Sequence, residues 1–331
     1  MANKILVTGS AGHLGEALIR TLNARGTETR GIDLKASPYT DVVGSVADRA
    51  VVREAVSGCE VILHTATLHK PHVGTHNRQD FIDTNITGTL NLLEEAASNN
   101  CRSVIFTSTT STFGDAMRAK PGEPAVWVTE ELRPRPKNIY GLSKTSAEDL
   151  CDLFNRNTGL ACVVLKTSRF FPEIDDSKKQ RDNFDDANLK VNELLFRRAD
   201  IADMVSAHLL AVEKAVDIGF DRFIISGPTP FQRSDAAELG QNAGAVLARY
   251  VPEYKAEYQR RGWKMFPTID RVYDSSHAQQ VLGWQPEYTF ARALQRLSED
   301  EDYRSPLTNE IGRKGYHNEV FQDGPYPVDG F

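Results

Sequence analysis

The sequence predicts an α/β fold, a Rossmann-type doubly wound parallel sheet with a smaller C-terminal substrate-binding cap, and three observations predict it. Short apolar strands alternate with helical stretches through the first half of the chain. A glycine-spaced turn joins the first strand to the first helix, and a tyrosine and a lysine stand four residues apart at the start of a later helix. Alternating strands and helices build a parallel sheet covered on both faces, with ligands at the carboxyl ends of its strands.

Taken in order, Ile5, Leu6 and Val7 within Lys4 to Thr8 read as a buried parallel strand running into Thr8-Gly9-Ser10-Ala11-Gly12-His13-Leu14-Gly15. Gly9 permits the tight turn, Gly12 lets the backbone approach a phosphate, and Gly15 lets the helix Leu14 to Arg25 pack close to the strand. The free N–H groups at that helix's start, with its dipole, favour the negative charge of a pyrophosphate. A glycine turn alone is a weak signal, and its context strengthens it. A second strand, Thr29 to Asp33, ends in a carboxylate close to the ~20-residue spacing expected for the group that binds a ribose 2′-hydroxyl. Asp33 predicts NAD and disfavours NADP, whose 2′-phosphate it would repel, while Lys35 reads as a solvated surface charge.

The alternation continues with a helix at Asp48 to Ser57, a strand at Val61 to His64, a helix at Asp80 to Ser98 and a strand at Ser103 to Ser108 ending in Thr109. A helixless excursion leads to the helix Tyr140 to Asn155 and the strand Ala161 to Thr167. From Ser168 the rhythm weakens: Phe171-Pro172 and the polar run Asp175 to Asp186 interrupt it, before a helix at Ile201 to Val216 and a strand at Phe223 to Ser226. Pro228 and Pro230 open an irregular region with helices near Ser234 to Arg249 and Ser275 to Leu282. The expected division is 1–168 for the dinucleotide-binding domain, with 201–226 returning to it, and 169–331 mainly for the cap and a C-terminal arm. Trp263 and Trp284 are expected in the cap's core, and the tail after Glu299, through Gly324-Pro325-Tyr326-Pro327, as an extended arm.

Composition fits this reading. The 331 residues, 40% hydrophobic and 25% charged, can bury a sizeable core. A net charge of −6 offers no basic field for nucleic acid or an anionic membrane. The apolar runs are too short to span a bilayer, and Met1-Ala2-Asn3-Lys4 leads into a strand without a signal-peptide pattern, so a cytoplasmic enzyme is expected. Cys59, Cys101, Cys151 and Cys162 have no metal or redox spacing and read as small buried hydrophobes.

Tyr140 and Lys144 share one helix face. A free tyrosine, with pKa about 10, is a poor base at neutral pH, and a neighbouring ammonium favours its phenolate. An incidental Tyr–Lys pair on a helix surface is the plain alternative. The strand ending in Thr109 lifts the pair, because a hydroxyl there can bond the same substrate oxygen. The hydroxyl-bearing run Thr107 to Thr112 otherwise reads as a strand-end turn. His69-Lys70-Pro71-His72-Val73-Gly74-Thr75-His76 holds three imidazoles without a compact carboxylate or cysteine set, so no metal is expected. These read as solvated loop histidines, with His69 alone as a substrate contact. Arg260, Arg261 and Arg271 could frame an anionic substrate, although Arg271 reads better as an ion-pairing residue.

Together these residues resemble the extended short-chain dehydrogenase/reductases, the NAD-dependent epimerase/dehydratase family of sugar-nucleotide enzymes. The resemblance rests on the Thr8 to Gly15 turn, Asp33, Gly44-Ser45-Val46-Ala47-Asp48, His64-Thr65-Ala66, Thr84-Asn85-Ile86-Thr87-Gly88-Thr89, Phe106 to Gly114, Tyr140/Lys144, and Asp274 followed by Leu282-Gly283-Trp284-Gln285-Pro286. It implies that Thr109 is the hydroxyl partner, Tyr140 the acid/base and Lys144 its tuner, which also holds the nicotinamide ribose. It places Gly9, Ala11, Gly12, His13, Leu14, Gly15, Asp33, Ser45, Val46, Thr65, Ala66, Thr67, Asn85, Thr107 and Thr167 at the NAD, and His69, Thr109, Ser111 and Arg169 at the substrate. Two departures bear on activity. Thr110 and Ser111 follow Thr109 where family dehydratases place Asp-Glu, which argues against dehydration. Arg169 stands where sugar-nucleotide members tend to carry asparagine; it is read either as a clamp for a carboxylate or phosphate, or as an ion-pair partner of Asp175, Asp176 or Asp203.

The resemblance implies a sugar-nucleotide epimerase acting on a secondary alcohol of a carbohydrate-like substrate. The alternative is an NAD(P)-dependent dehydrogenase or reductase of a non-nucleotide substrate such as a sugar acid, and a non-catalytic NAD sensor is disfavoured because Tyr140 and Lys144 are both present. A homodimer is expected through the helices near Asp80 to Ser98 and Tyr140 to Asn155, which carry Leu90, Leu93, Leu150 and Leu153.

Overall fold

Alternating strands and helices organise the first half of the chain: β1 (Ile5–Thr8), α1 (His13–Ala24), β2 (Thr29–Asp33), β3 (Val42–Val43), α2 (Arg49–Val56), β4 (Val61–His64), α3 (Arg78–Phe81), α4 (Gly88–Ser98), β5 (Ser103–Thr109), β6 (Val126–Val128), α5 (Ile139–Thr158) and β7 (Ala161–Thr167). The remainder comprises α6 (Lys178–Asn183), α7 (Asp186–Glu193), α8 (Ile201–Ile218), β8 (Phe220–Ile225), α9 (Ala236–Tyr250), α10 (Tyr254–Arg261), β9 (Arg271–Tyr273), α11 (Ser276–Val281), α12 (Phe290–Ser298) and α13 (Pro306–Ile311). This computed structural model describes residues 4–317, 319, 321 and 324–327. Met1, Ala2 and Asn3 of the expected leaderless start lie outside the described residues, as do Asn318, Val320, Gln322, Asp323 and 328–331 of the expected arm.

The main sheet has the order β3-β2-β1-β4-β5-β7-β8, with every pair parallel. The order turns outward from β1 and β4, which opens a crevice at their carboxyl ends. Ile5, Leu6 and Val7, Val61 to Leu63, and all of β7 are buried, because a parallel sheet covered on both faces leaves its central strands no wet side. One face packs on α1 and α8 through residues such as Leu14, Leu18, Met204 and Ala211. The other packs on α2, α4 and α5 through Val52, Leu92, Leu93 and Ala147. All four cysteines are buried and free. Among the described residues no helix is long and apolar enough to cross a membrane.

Several elements depart from the sequence expectation. The helix expected over Asp80 to Ser98 contains a π-helical segment, Ile82–Thr87, which carries the buried Asn85. β6 and β9 form a separate parallel two-stranded sheet; three residues each are too few for an alternating pattern to show. The polar run after Asp175 includes α6, whose sequence Lys-Lys-Gln-Arg-Asp-Asn has no apolar period. The region treated as an arm after Glu299 includes α13. A cap core gathers around Leu195, Leu239, Val246, Leu247 and Leu294, with Trp263 partly buried against it. Trp284 corrects the expectation: it packs with the core of α1 and α8, and its indole N–H donates to the Asp203 carbonyl at 3.1 Å and the Ser206 hydroxyl at 3.0 Å. Leu93 is buried, Leu90 and Leu150 are half-buried, and Leu142 and Leu153 of α5 are exposed.

Candidate active site

The glycine turn after β1 is shaped by close approaches. Gly9 has φ +69°, and a Cβ there would come within 2.8 Å of the Ala66 backbone nitrogen. At Gly15 a Cβ would meet the Gly9 carbonyl oxygen at 2.0 Å, so only glycine lets α1 start this close to the strand. Gly12 is the N-cap of α1 and brings no side chain to its unpaired first-turn N–H groups, which are a ready anion site. At the end of β2, Asp33 accepts the Ala11 N–H at 3.0 Å and the Lys35 N–H at 2.9 Å.

One cavity of about 360 Å³ is lined by Gly9, Gly12, His13, Leu14, Gly15, Asp33, Ser45, Val46, Thr65, Ala66, Thr67, Thr107 and Thr167. An open helix N-terminus and a carboxylate at the next strand's end fit the pyrophosphate and the adenosine ribose of NAD. Ala11 reaches this set through its backbone bond to Asp33. Asn85 lies beneath it: its carbonyl accepts from the Thr67 hydroxyl at 3.0 Å and the Leu68 N–H at 2.9 Å, and its amide donates to Ser143 Oγ at 2.9 Å.

Thr109 closes β5, and Tyr140 and Lys144 stand on the first turns of α5, whose N-cap Asn138 accepts the Gly141 N–H at 3.1 Å. Thr109 and Tyr140 line the same cavity, with Ser111 beside them, whose N–H donates to the Thr109 hydroxyl at 3.1 Å. Lys144 lies below. Its ammonium donates to the Thr107 carbonyl at 2.6 Å and sits 3.9 Å from the Phe106 ring centroid. Burial pushes the Tyr140 phenol up to about 12, and the downward pull expected from Lys144 does not offset it here. The same burial pushes Lys144 down to about 7, against the nearby Glu148 carboxylate. Taking either group out of water disfavours its charged form, and the lysine's charge is turned to a carbonyl and an aromatic face.

Two neighbours of the site went unread in the sequence. Glu148 lies one further turn along the Tyr140/Lys144 face and binds Lys166 Nζ through both oxygens at 2.6 Å each. Ser108 also bonds Glu148, and both ionic side chains are 2% exposed. The i, i+4, i+8 spacing of Tyr140, Lys144 and Glu148 was the available signal. The second neighbour is Glu173, whose Oε1 lies 2.7 Å from His13 Nε2 in the glycine turn.

Arg169, expected at the substrate, lines the cavity, but its guanidinium is engaged by Asp175, by Asp176 at 2.9 Å and by Glu193 at 2.9 Å. Asp203, its other expected partner, instead accepts the Glu287 and Tyr288 N–H groups at 2.7 and 2.9 Å. Burial pushes Glu193 up, and Arg197, Arg169 and Arg198 overcome it, leaving the carboxyl at about 2. The histidine loop is less solvated than expected. His69 and His72 are half-buried, and burial holds His69 well below the usual imidazole range and His72 at about 4, while His76 is exposed. His69 lies 5.1 Å from the Tyr316 ring and 5.6 Å from Phe171. Among the described residues no group of three or more His, Cys, Asp or Glu is placed to hold a metal. Arg260 and Arg261 pair with Glu257 and Asp300, and Arg271 with Asp270 at 3.2 Å.

The chain is similar to uncharacterized protein y4nG of Sinorhizobium fredii, 29% identical over 167 residues, which are 49% of this chain and 39% of that one. It is 27% identical to a uronate dehydrogenase of Pseudomonas putida over 177 residues, 52% of this chain and 62% of the relative. Each of these matches spans less than two thirds of the relative's length. A UDP-glucose 4-epimerase of Streptomyces lividans is 23% identical over 325 residues, 86% of this chain and 92% of the epimerase. Among solved structures, a short-chain dehydrogenase/reductase superfamily protein of Agrobacterium tumefaciens with bound NAD superposes with a TM-score of 0.64 at 22% identity, covering 90% of this chain and 96% of that one. The UDP-N-acetylglucosamine 4-epimerase of Bacillus cereus gives 0.62 at 19% identity, with 89% and 97% covered. These likenesses show the shared fold. The model of the NAD dependent epimerase/dehydratase family matches residues 5–222, and the chain accordingly belongs to that family.

Proposed function

We propose that this enzyme oxidises a secondary alcohol on a carbohydrate-like substrate, with Tyr140 as the base that takes the hydroxyl proton and Thr109 as the second hydrogen-bond partner of the same oxygen. The observation that carries this reading is that Thr109 and Tyr140 line the cavity that also holds the glycine turn and Asp33. NAD, when bound, supplies the hydride acceptor and, in its oxidised form, a positively charged ring. The open N-terminus of α1 would hold the pyrophosphate, and Asp33 would accept from the adenosine ribose hydroxyls, favouring NAD over NADP. Lys144 holds the nicotinamide ribose and, with the ring's positive charge, favours the Tyr140 phenolate that burial opposes. Thr67, fixed by Asn85, and Thr107, whose carbonyl anchors Lys144, keep these groups in register.

An epimerase returns the hydride to the other face of the ketone, and a dehydrogenase releases the ketone. Alignment with UDP-glucose 4-epimerases along most of both chains supports the first. The test is incubation with NAD and a panel of nucleotide sugars, free sugars, polyols and sugar acids, following reduced cofactor and isomer formation separately. Net reduced cofactor marks a dehydrogenase and isomer without it an epimerase; neither product from any member contradicts hydride chemistry. Pairing of two chains through α4 and the exposed leucines of α5 is proposed for the assembled enzyme, and a light-scattering mass near 36.8 kDa would reject it.

A further inference from the structure

The substrate end of the cavity is walled by residues from the far C-terminus. The Lys314 and Gly315 N–H groups donate to Glu173 Oε1 at 3.0 and 3.2 Å, the same oxygen that meets His13 of the glycine turn. Arg313 donates to the Pro172 carbonyl at 3.0 Å, and the His317 ring to the Pro71 carbonyl at 2.9 Å. Fixed on both sides, Tyr316 is set with ring centroids 5.1 Å from His69 and 6.0 Å from Phe171. Tyr326 packs 5.7 Å from Tyr316 and lines the cavity beside Asp176. Both tyrosines line the cavity that contains Tyr140.

The charges along this wall cancel. The cavity-lining cations are matched: Lys70 by Asp176; Arg169 by Asp175, Asp176 and Glu193; and Arg198 by Glu193 at 2.8 Å. A diphosphate or carboxylate must replace its lost hydration with donors of its own, and these donors already serve protein carboxylates. What the wall offers is aromatic surface with scattered polar atoms, the usual lining of a site for a small neutral ligand.

We propose that Tyr316 contacts the substrate, and that the substrate is an uncharged, non-nucleotide polyhydroxyl compound, a free sugar or polyol, whose apolar face rests on Tyr316, Phe171 and His69. This rests on the hydride-transfer reading above and removes the anion anchor that a free Arg169 would have given a sugar acid or a nucleotide sugar.

The test titrates the enzyme–NAD complex calorimetrically with D-galactose, myo-inositol, D-glucuronate and UDP-glucose, and follows reduced NAD and isomer formation in parallel, for wild type and Tyr316→Ala. The expected result is binding of an uncharged probe, none of UDP-glucose or glucuronate at millimolar concentration, and an uncharged-probe affinity at least about tenfold weaker in Tyr316→Ala. NAD affinity should stay within about twofold, which shows that the variant is folded. Binding or turnover of UDP-glucose overturns this inference while leaving hydride transfer intact. Tyr316-dependent binding of an uncharged probe without any reduced NAD or isomer supports the wall and sinks the hydride reading. Failure of both uncharged probes to bind, or equal affinity in the two proteins, overturns the inference.

Discussion

Asp33 is the residue placed to select between NAD and NADP in the proposed site. Its carboxylate is already oriented by two backbone N–H groups at 3.0 and 2.9 Å, so it offers its remaining lone pairs in a fixed direction. Hydrogen bonds to a charged group contribute about 1.5–3 kcal/mol, so Asp33→Ser should weaken NAD by at least about tenfold and relieve the repulsion of NADP. Fluorescence titration of both cofactors checks this, and an unchanged preference for NAD would contradict it. The glycine turn and Asp33 were legible in the sequence because their roles are local: spacing along one strand–turn–helix–strand unit sets the geometry. Glu173 and Tyr316 were not, because their significance lies in meeting His13 and His69 from distant parts of the chain. The protonation of Tyr140 was also beyond the pattern. Four-residue spacing brings Lys144 near, but burial, which spacing does not encode, decides the direction.

At the scale of elements, α5 is tied to β7 by the Glu148–Lys166 pair, whose side chains are buried so that bulk solvent screens neither charge. Removing one partner of a buried pair leaves the other uncompensated, at about 3–5 kcal/mol. Glu148→Gln should lose stability of that order in urea melts, and Glu148→Gln with Lys166→Met should recover a large part of it. Equal losses in the single and double variants would show that the pair does not anchor α5. Long helices and central strands were legible because apolar periodicity persists over many residues. Short segments such as β3, β6, β9 and α6 are stabilised by their neighbours rather than by their own pattern. α12 is different: Phe290, Ala293, Leu294 and Leu297 are all buried at helical spacing, a readable pattern within a proline- and glycine-punctuated region.

Across the whole molecule, Asp203 joins α8 to the segment after Trp284, and burial pushes its carboxyl up from 3.8 to about 7. A raised folded pKa means the native state keeps a proton that the unfolded chain releases, so its stabilisation is present below about pH 4 and is lost as pH rises through about 7. Asp203→Asn cannot titrate. The wild-type melting temperature should therefore fall relative to that of the variant between about pH 4 and pH 7, by the equivalent of about 2–4 kcal/mol. A constant difference across that range would contradict the shift.

The central claim is that Tyr140 moves the proton in a hydride-transfer reaction, and Tyr140→Phe tests it most directly because the change removes a hydroxyl and keeps the buried ring. On any substrate turned over by wild type, the account predicts retained NAD affinity, an unchanged melting temperature and turnover lower by about 10²–10⁴-fold. Turnover equal to that of wild type in a folded, NAD-binding Tyr140→Phe enzyme would contradict it.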